Sequence, residues 1–209
     1  MALGCILLDV DDTLYAQGQG PFSQVTERIG AYVIKHLGLE QAEALALRRR
    51  YVAAYGSTMG GLVAHHGVDP HEFLDYVHDV PVETILQPDV RLFEVLKTLP
   101  VPLAAFSNGS QAYVRRVLAA LGVGSLFSQI LAIEDFDFIP KPQKRPYLAA
   151  QERLGLSAAE LLLVDDRPEN VAAARQHGFR AVQVGGEAAD GQVIATIYDL
   201  PRFLRQSNE

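Results

Sequence analysis

Ile6-Leu7-Leu8-Asp9-Val10-Asp11-Asp12-Thr13-Leu14 is the stretch that decides the fold. An apolar run that begins at Cys5 reads as a short buried strand and stops abruptly in three acids and a threonine. That places Asp9 at the carboxyl end of the strand, the edge where open parallel sheets bind their ligands. In an extended segment side chains alternate, so Asp9 and Asp11 are expected to share a face and Val10 to point elsewhere. Two carboxylates that close conflict unless a cation joins them or one keeps a proton. A metal on one and a proton on the other would make a nucleophile beside an acid.

Downstream of this stretch the pattern changes. Gly18, Gly20 and Pro21 mark a loop or hinge, and from residue 16 to residue 87 the apolar spacing is helical throughout. Ser23 is the expected cap of the first helix, Gly38 its end, and 41–55 the second helix. Gly56-Ser57-Thr58-Met59-Gly60-Gly61 reads as a break, and 70–78 as a further helix. Beyond a second hinge near 81–88, strands (101–106, 128–133, 161–164, 181–184) alternate with helices (89–98, 111–121, 145–154, 168–177), and 200–205 closes the chain as a short helix. The expected fold is a Rossmann-like three-layer α/β core with a parallel sheet of about five strands. The core comprises residues 1–15 and 88–209, and 16–87 form an inserted helical cap.

The 209 residues, 49% hydrophobic and 21% charged, suit a soluble globular chain, and a net charge of −7 argues against a nucleic-acid scaffold. No apolar run reaches the ~20 residues that span a bilayer. The lone Cys5 excludes an internal disulfide and fits a reducing cytoplasm. Leu3-Gly4-Cys5 resembles a lipoprotein cleavage site, but the stretch before it carries no Lys or Arg, so no leader is expected. Oligomeric state and source are not legible.

Four polar clusters follow predicted elements: Asp9/Asp11/Thr13, Ser107/Asn108, Lys141, and Asp165/Asp166/Asn170. Three come directly off strand ends, and in a parallel sheet those ends share one edge, so the clusters should converge. The inventory suits hydrolysis of a phosphate monoester, which needs a hard cation, a nucleophile, a proton donor and cationic cover for the phosphoryl oxygens. Asp9, Asp165 and Asp166 are oxygen ligands of the kind Mg²⁺ takes. Taken singly the clusters have plainer readings: Asp165-Asp166 as a helix cap, Ser107-Asn108-Gly109 as a turn, Lys141 as a surface lysine. A calcium loop at Asp9 fails because its sixth position is Leu14 and its twelfth Gly20.

Asp9-Val10-Asp11-Asp12-Thr13-Leu14, Ser107-Asn108, Lys141-Pro142 and Asp165-Asp166-Arg167-Pro168-Glu169-Asn170 resemble the four motifs of the haloacid dehalogenase superfamily, in that family's order. The resemblance implies an Mg²⁺-dependent phosphatase in which Asp9 is nucleophile and metal ligand and Asp11 the acid/base, its backbone carbonyl also on the metal. It implies Thr13, Ser107, Asn108 and Lys141 as phosphate-binding groups, with Lys141 also catalytic. Asp166 becomes a direct metal ligand, Asp165 a direct or water-mediated one, and Asn170 an outer-shell group. Asp11 separates the chain from the dehalogenases themselves, which resemble it but lack the second acid. Asp12-Thr13-Leu14-Tyr15 with Tyr55-Gly56-Ser57-Thr58-Met59-Gly60-Gly61-Leu62 further resembles the pyrimidine 5′-nucleotidase branch, implying a nucleoside monophosphate such as UMP or CMP. That branch usually carries Asn at the position of Asp12 and often Thr at that of Ser107. The alternatives are a sugar-phosphate phosphatase or mutase of the same superfamily, and a phospho-Asp receiver-like signalling domain. Receivers are shorter and carry no helical insertion after the first strand.

Overall fold

The computed structural model describes residues 2–186 and 192–206. Strand β1 (Cys5–Leu8) is followed by five helices with no strand among them: α1 (Phe22–Leu37), α2 (Gln41–Tyr55), α3 (Thr58–His66), α4 (Pro70–His78) and α5 (Val82–Ile85). Then come α6 (Val90–Lys97), β2 (Leu103–Phe106), α7 (Gln111–Ala120), β3 (Phe127–Leu131), α8 (Lys144–Leu154), β4 (Leu161–Asp165), α9 (Pro168–Gln176), β5 (Arg180–Val184), β6 (Val193–Ile194) and α10 (Leu200–Gln206).

The strands form one sheet in the order β3-β2-β1-β4-β5-β6, with every pairing parallel. Every residue of β1, β2 and β4 is buried, although alternate residues face opposite sides, so both faces of the sheet centre are covered. The three layers expected from the sequence are therefore present. Leu8 lies opposite Ala105 on one neighbour and Val164 on the other. This register brings the residues that follow each strand, Asp9, Ser107 and Asp166, to one edge. The order reverses at β1, so the chain's first acid sits at the topological switch point.

Some local expectations differ. The sheet has six strands rather than about five, because Val193-Ile194 is too short to show a period. The predicted hinge near 81–88 contains the single turn α5. Helix α1 starts one residue before Ser23, with Pro21 at the cap position and no side-chain cap bond. The break at Gly56-Gly61 is confined to Gly56-Ser57: Gly56 takes the left-handed conformation that ends α2 (φ 77°), and the Ser57 side chain accepts from Gly60 N to start α3. Gly61 lies inside α3 at a position with no room for a side chain, since a Cβ there would lie 2.1 Å from the Tyr51 ring. His65 and His66 pack against and bond to Tyr55 and Tyr51, so the histidine pair is structural. Cys5 is a buried free thiol whose pKa burial pushes up to about 11.

Candidate active site

The carboxyl edge of the sheet carries the predicted convergence. Lys141, 1% exposed, donates from Nζ to Asp9 Oδ1 (2.8 Å), Asp165 Oδ2 (2.7 Å) and the Phe106 carbonyl at the end of β2 (2.6 Å). Burial alone would lower the lysine's pKa, but the two carboxylates outweigh it and the net shift is upward. Asn108 fixes this lysine's backbone from both sides, accepting from Lys141 N (2.8 Å) and donating to Lys141 O (3.1 Å). Its amide is therefore engaged in positioning Lys141, a use that the sequence did not reveal.

The two acids of the final cluster have different surroundings. Asp165, wholly buried at the end of β4, receives Lys141 Nζ, Asn170 Nδ2 (2.9 and 3.0 Å to its two oxygens) and Arg167 N (3.0 Å). Protein donors thus occupy both its oxygens. Asp166 is half-buried, and its carboxylate takes one bond, from Thr13 Oγ1 at 3.3 Å. Burial first, then the charge of Asp165, pushes its pKa up to about 6. Asp9 is likewise raised, by burial first and by Asp165 and Asp166, against the pull of Lys141.

Asp9, Asp165 and Asp166 each offer an oxygen within 4.8 Å of the others, the one such metal-capable group among the described residues. The set fits a hard divalent cation on two observations. Three acids face one buried cation, Lys141, and the carboxylates of Asp9 and Asp166 are driven toward protonation. Asn170 Oδ1 is also buried without a partner.

Asp11 has its own environment. The extended geometry expected through it ends there: Asp12 turns left-handed (φ 57°), and Leu14 N bonds back to Val10 O at 3.0 Å. The Asp11 carboxylate accepts from Tyr113 OH (2.7 Å) and from Tyr15 OH on the same oxygen. Burial pushes its pKa up to about 6, while the two phenols pull the other way. Tyr15, four residues from Asp11, entered the sequence reading only as part of a motif, and Tyr113, on α7, gave no signal.

Asp9, Asp11, Ser107, Asn108, Lys141, Asp166 and Asn170 line one cavity of about 280 Å³. Ser107 Oγ accepts from Gly109 N at 3.0 Å. Thr13, expected at the phosphate, does not line this cavity; its hydroxyl accepts from Asp166 N (3.1 Å) and ties the first loop to the last. The facing wall comes from the helices between β1 and β2, with Phe22, Val25, Ile29, Arg48, Val52 and Met59 among its residues.

A buried lysine bridging two strand-end acids, with a third acid free to take a cation, is the arrangement of a hydrolase on a Rossmann-like α/β fold. Residues 3–178 match the family described as haloacid dehalogenase-like hydrolase, and the chain belongs to that family. It is 27% identical over 187 residues to phosphate metabolism protein 8 of Saccharomyces cerevisiae, covering 82% of this chain and 58% of that protein. Over 82 residues it is 38% identical to the phosphoglycolate phosphatase of Pectobacterium atrosepticum, covering 39% of this chain and 35% of the relative. The chain thus spans less than two thirds of either relative. Its fold matches that of the L-2-haloacid dehalogenase of Xanthobacter autotrophicus, solved with chloropropionic acid covalently bound, at a TM-score of 0.61 and 17% identity, covering 97% of this chain and 98% of that one.

Proposed function

We propose that the protein is a phosphoric monoester hydrolase working through an aspartyl-phosphate on Asp9, with residues 1–15 and 88–209 as catalytic core and 16–87 as cap. The observation that carries this reading is the pairing of Asp9, held by Lys141, with a second, half-buried acid, Asp11, that has its own donors and a raised pKa. An Asp9 oxygen attacks phosphorus, the ester P–O bond breaks, and Asp11 gives its proton to the leaving oxygen. Asp11 then takes a proton from water, whose oxygen attacks phosphorus, releasing inorganic phosphate and restoring Asp9. Lys141 neutralises Asp9 as the phosphoryl group arrives, and Ser107 grips a phosphoryl oxygen.

Asp9, Asp166 and the Asp11 backbone carbonyl would hold Mg²⁺, which supplies charge neutralisation at the phosphoryl oxygens. Asp165, its oxygens engaged by protein donors, would act beside that ion by holding Lys141 and Asn170, and Thr13 by holding Asp166. The ester is a small molecule, not a nucleic acid, and a reducing cytoplasm suits the single buried thiol. Among the described residues no helix is long and apolar enough to cross a membrane.

Within this class the substrate is a nucleoside 5′-monophosphate of the UMP or CMP type. Support comes from the motif resemblance and from the cavity, which Gly56, Ser57, Thr58 and Met59 of that motif line. A second reading, a small sugar or hydroxy-acid phosphate, is favoured by Arg48 in the same wall and by a cavity of about 280 Å³, just below the ~300–1,000 Å³ typical of ligand sites. A receiver-like role is disfavoured by the six helices between β1 and β2.

Phosphate release from UMP, CMP, AMP, GMP and glycolate and glucose phosphates, with and without Mg²⁺, tests the proposal. Activity that survives EDTA or Asp9→Asn ends it. A marked preference for the non-nucleotide esters selects the second reading.

A further inference from the structure

We infer that Arg48 forms a second anion subsite in this cavity, one that takes a carboxylate on the alcohol portion of the ester. The inference rests on the second reading above, a small hydroxy-acid phosphate rather than a nucleotide, and specifies its leaving group.

Arg48 sits on α2 and lines the cavity whose far wall holds Asp9 and Lys141. Arg28, Arg116, Arg145, Arg153 and Arg167 each pair with an acid. Arg48 has no such pair among the described residues, and its Nε is buried with no hydrogen-bond partner. Burial alone sets the direction of its pKa shift, downward, so no carboxylate of the protein offsets the cost. The side chain is tightly seated: a Cβ at Gly30 on α1 would stand 3.1 Å from Arg48 Nη1. Around it the wall is apolar, with Phe22, Val25, Ile29 and Val52.

A guanidinium is permanently charged and has donors but no acceptor. Arg48 is half-buried, but its Nε is shut off from water with nothing to donate to, which costs stability unless a bound group accepts from it. Here that acceptor is supplied by the ligand. The phosphoryl group belongs to the Asp9–Lys141 wall, so Arg48 addresses the other end of the molecule. Its planar fork matches a carboxylate through two parallel N–H···O bonds. A cavity of about 280 Å³ that must also hold the phosphoryl group favours a short phosphorylated hydroxy acid over a bulky bisphosphate.

The test compares two esters of similar size, phosphoglycolate (carboxymethyl phosphate) and ethyl phosphate, which differ in the carboxylate. Wild-type protein is expected to prefer the first in kcat/KM. Arg48→Met is expected to cut that preference by about 10- to 100-fold, the range for hydrogen bonds to a charged group, mainly through KM. Arg48→Lys, a point charge without the fork, should restore part of it. Ligand-free Arg48→Met should melt no lower than wild type, because an unsatisfied buried donor is removed and no ion pair is lost; a large fall in Tm would mark Arg48 as structural and overturn the inference. Equal preference in wild type and Arg48→Met also overturns it, as does a wild-type preference for UMP that Arg48→Met abolishes.

A binding arm separates this failure from failure of the phosphatase reading. In an Asp9→Asn background phosphoglycolate should raise Tm more than ethyl phosphate does, and adding Arg48→Met should remove the difference. A difference that persists overturns the subsite even if turnover is confirmed. A difference that disappears sustains it even if neither ester is hydrolysed by wild type.

Discussion

On the sheet side of the cavity, charges answer one another: Lys141 bonds Asp9 and Asp165, Asn170 and a backbone amide hold Asp165, and two tyrosines hold Asp11. On the helical side, Arg48 faces an apolar wall with no acid against it. The contrast separates two tasks. A bond-breaking centre must be preorganised, so its groups are fixed before substrate arrives. A recognition surface can leave a partner missing, because the ligand brings it.

The largest effect is expected where the sheet side is cut at its centre. Asp9→Asn keeps the shape but removes the nucleophile, and kcat should fall at least about 10⁴-fold, measured as phosphate release. Lys141→Met attacks the same network through stability. It leaves wholly buried Asp165 without its cation, and unfolding in urea should show a loss of about 3–5 kcal/mol. A smaller loss would mean that the sheet side is less tightly interlocked than its geometry implies.

The seam between the two sides gives a third test. His78, at the end of α4, is stacked on Tyr113 and hydrogen-bonded to Ser110 at 3.0 Å. Burial, helped by Arg116, lowers its pKa to about 4. The folded protein therefore holds it neutral, while the unfolded chain takes up a proton below about pH 6.5. Stability attributable to His78 is present above that pH and declines as pH falls toward 4. Between pH 7 and pH 4.5 the expected loss is about 2 kcal/mol, and His78→Asn should remove that part of the slope in parallel urea titrations. A last effect, of similar size to that of His78, is confined to the helical side. Gly61→Ala, driven against Tyr51, should cost about 1–3 kcal/mol of stability, read from the urea midpoint.

The sheet side was the more legible from sequence, for a physical reason. Strand ends converge by geometry, so acids after β1 and β4 and the serine after β2 could be brought together without knowing a single side-chain contact. What the sequence did not show was local. Asp9 and Asp11 line one cavity, as expected, but each carboxylate has its own partners. Thr13 and Asn108, read as phosphate ligands, also hold Asp166 and Lys141. The helical side resisted reading for the opposite reason. Arg48, Arg49 and Arg50 are equivalent as letters, and which of them is turned inward depends on how α2 packs.

The register of the central strand also shapes how the molecule is made. Strand β1 pairs with residues starting at Leu103 and Leu161, roughly a hundred and a hundred and fifty positions downstream. At ribosomal rates of about 5–20 residues per second, Cys5–Leu8 has left the polymerising centre some 8–30 s before its second neighbour exists. An apolar strand without edges to bind over that interval is a target for chaperones and for self-association. Slow or crowded translation should therefore lower the yield of native protein more steeply than it would for a chain whose first strand pairs with its second at once.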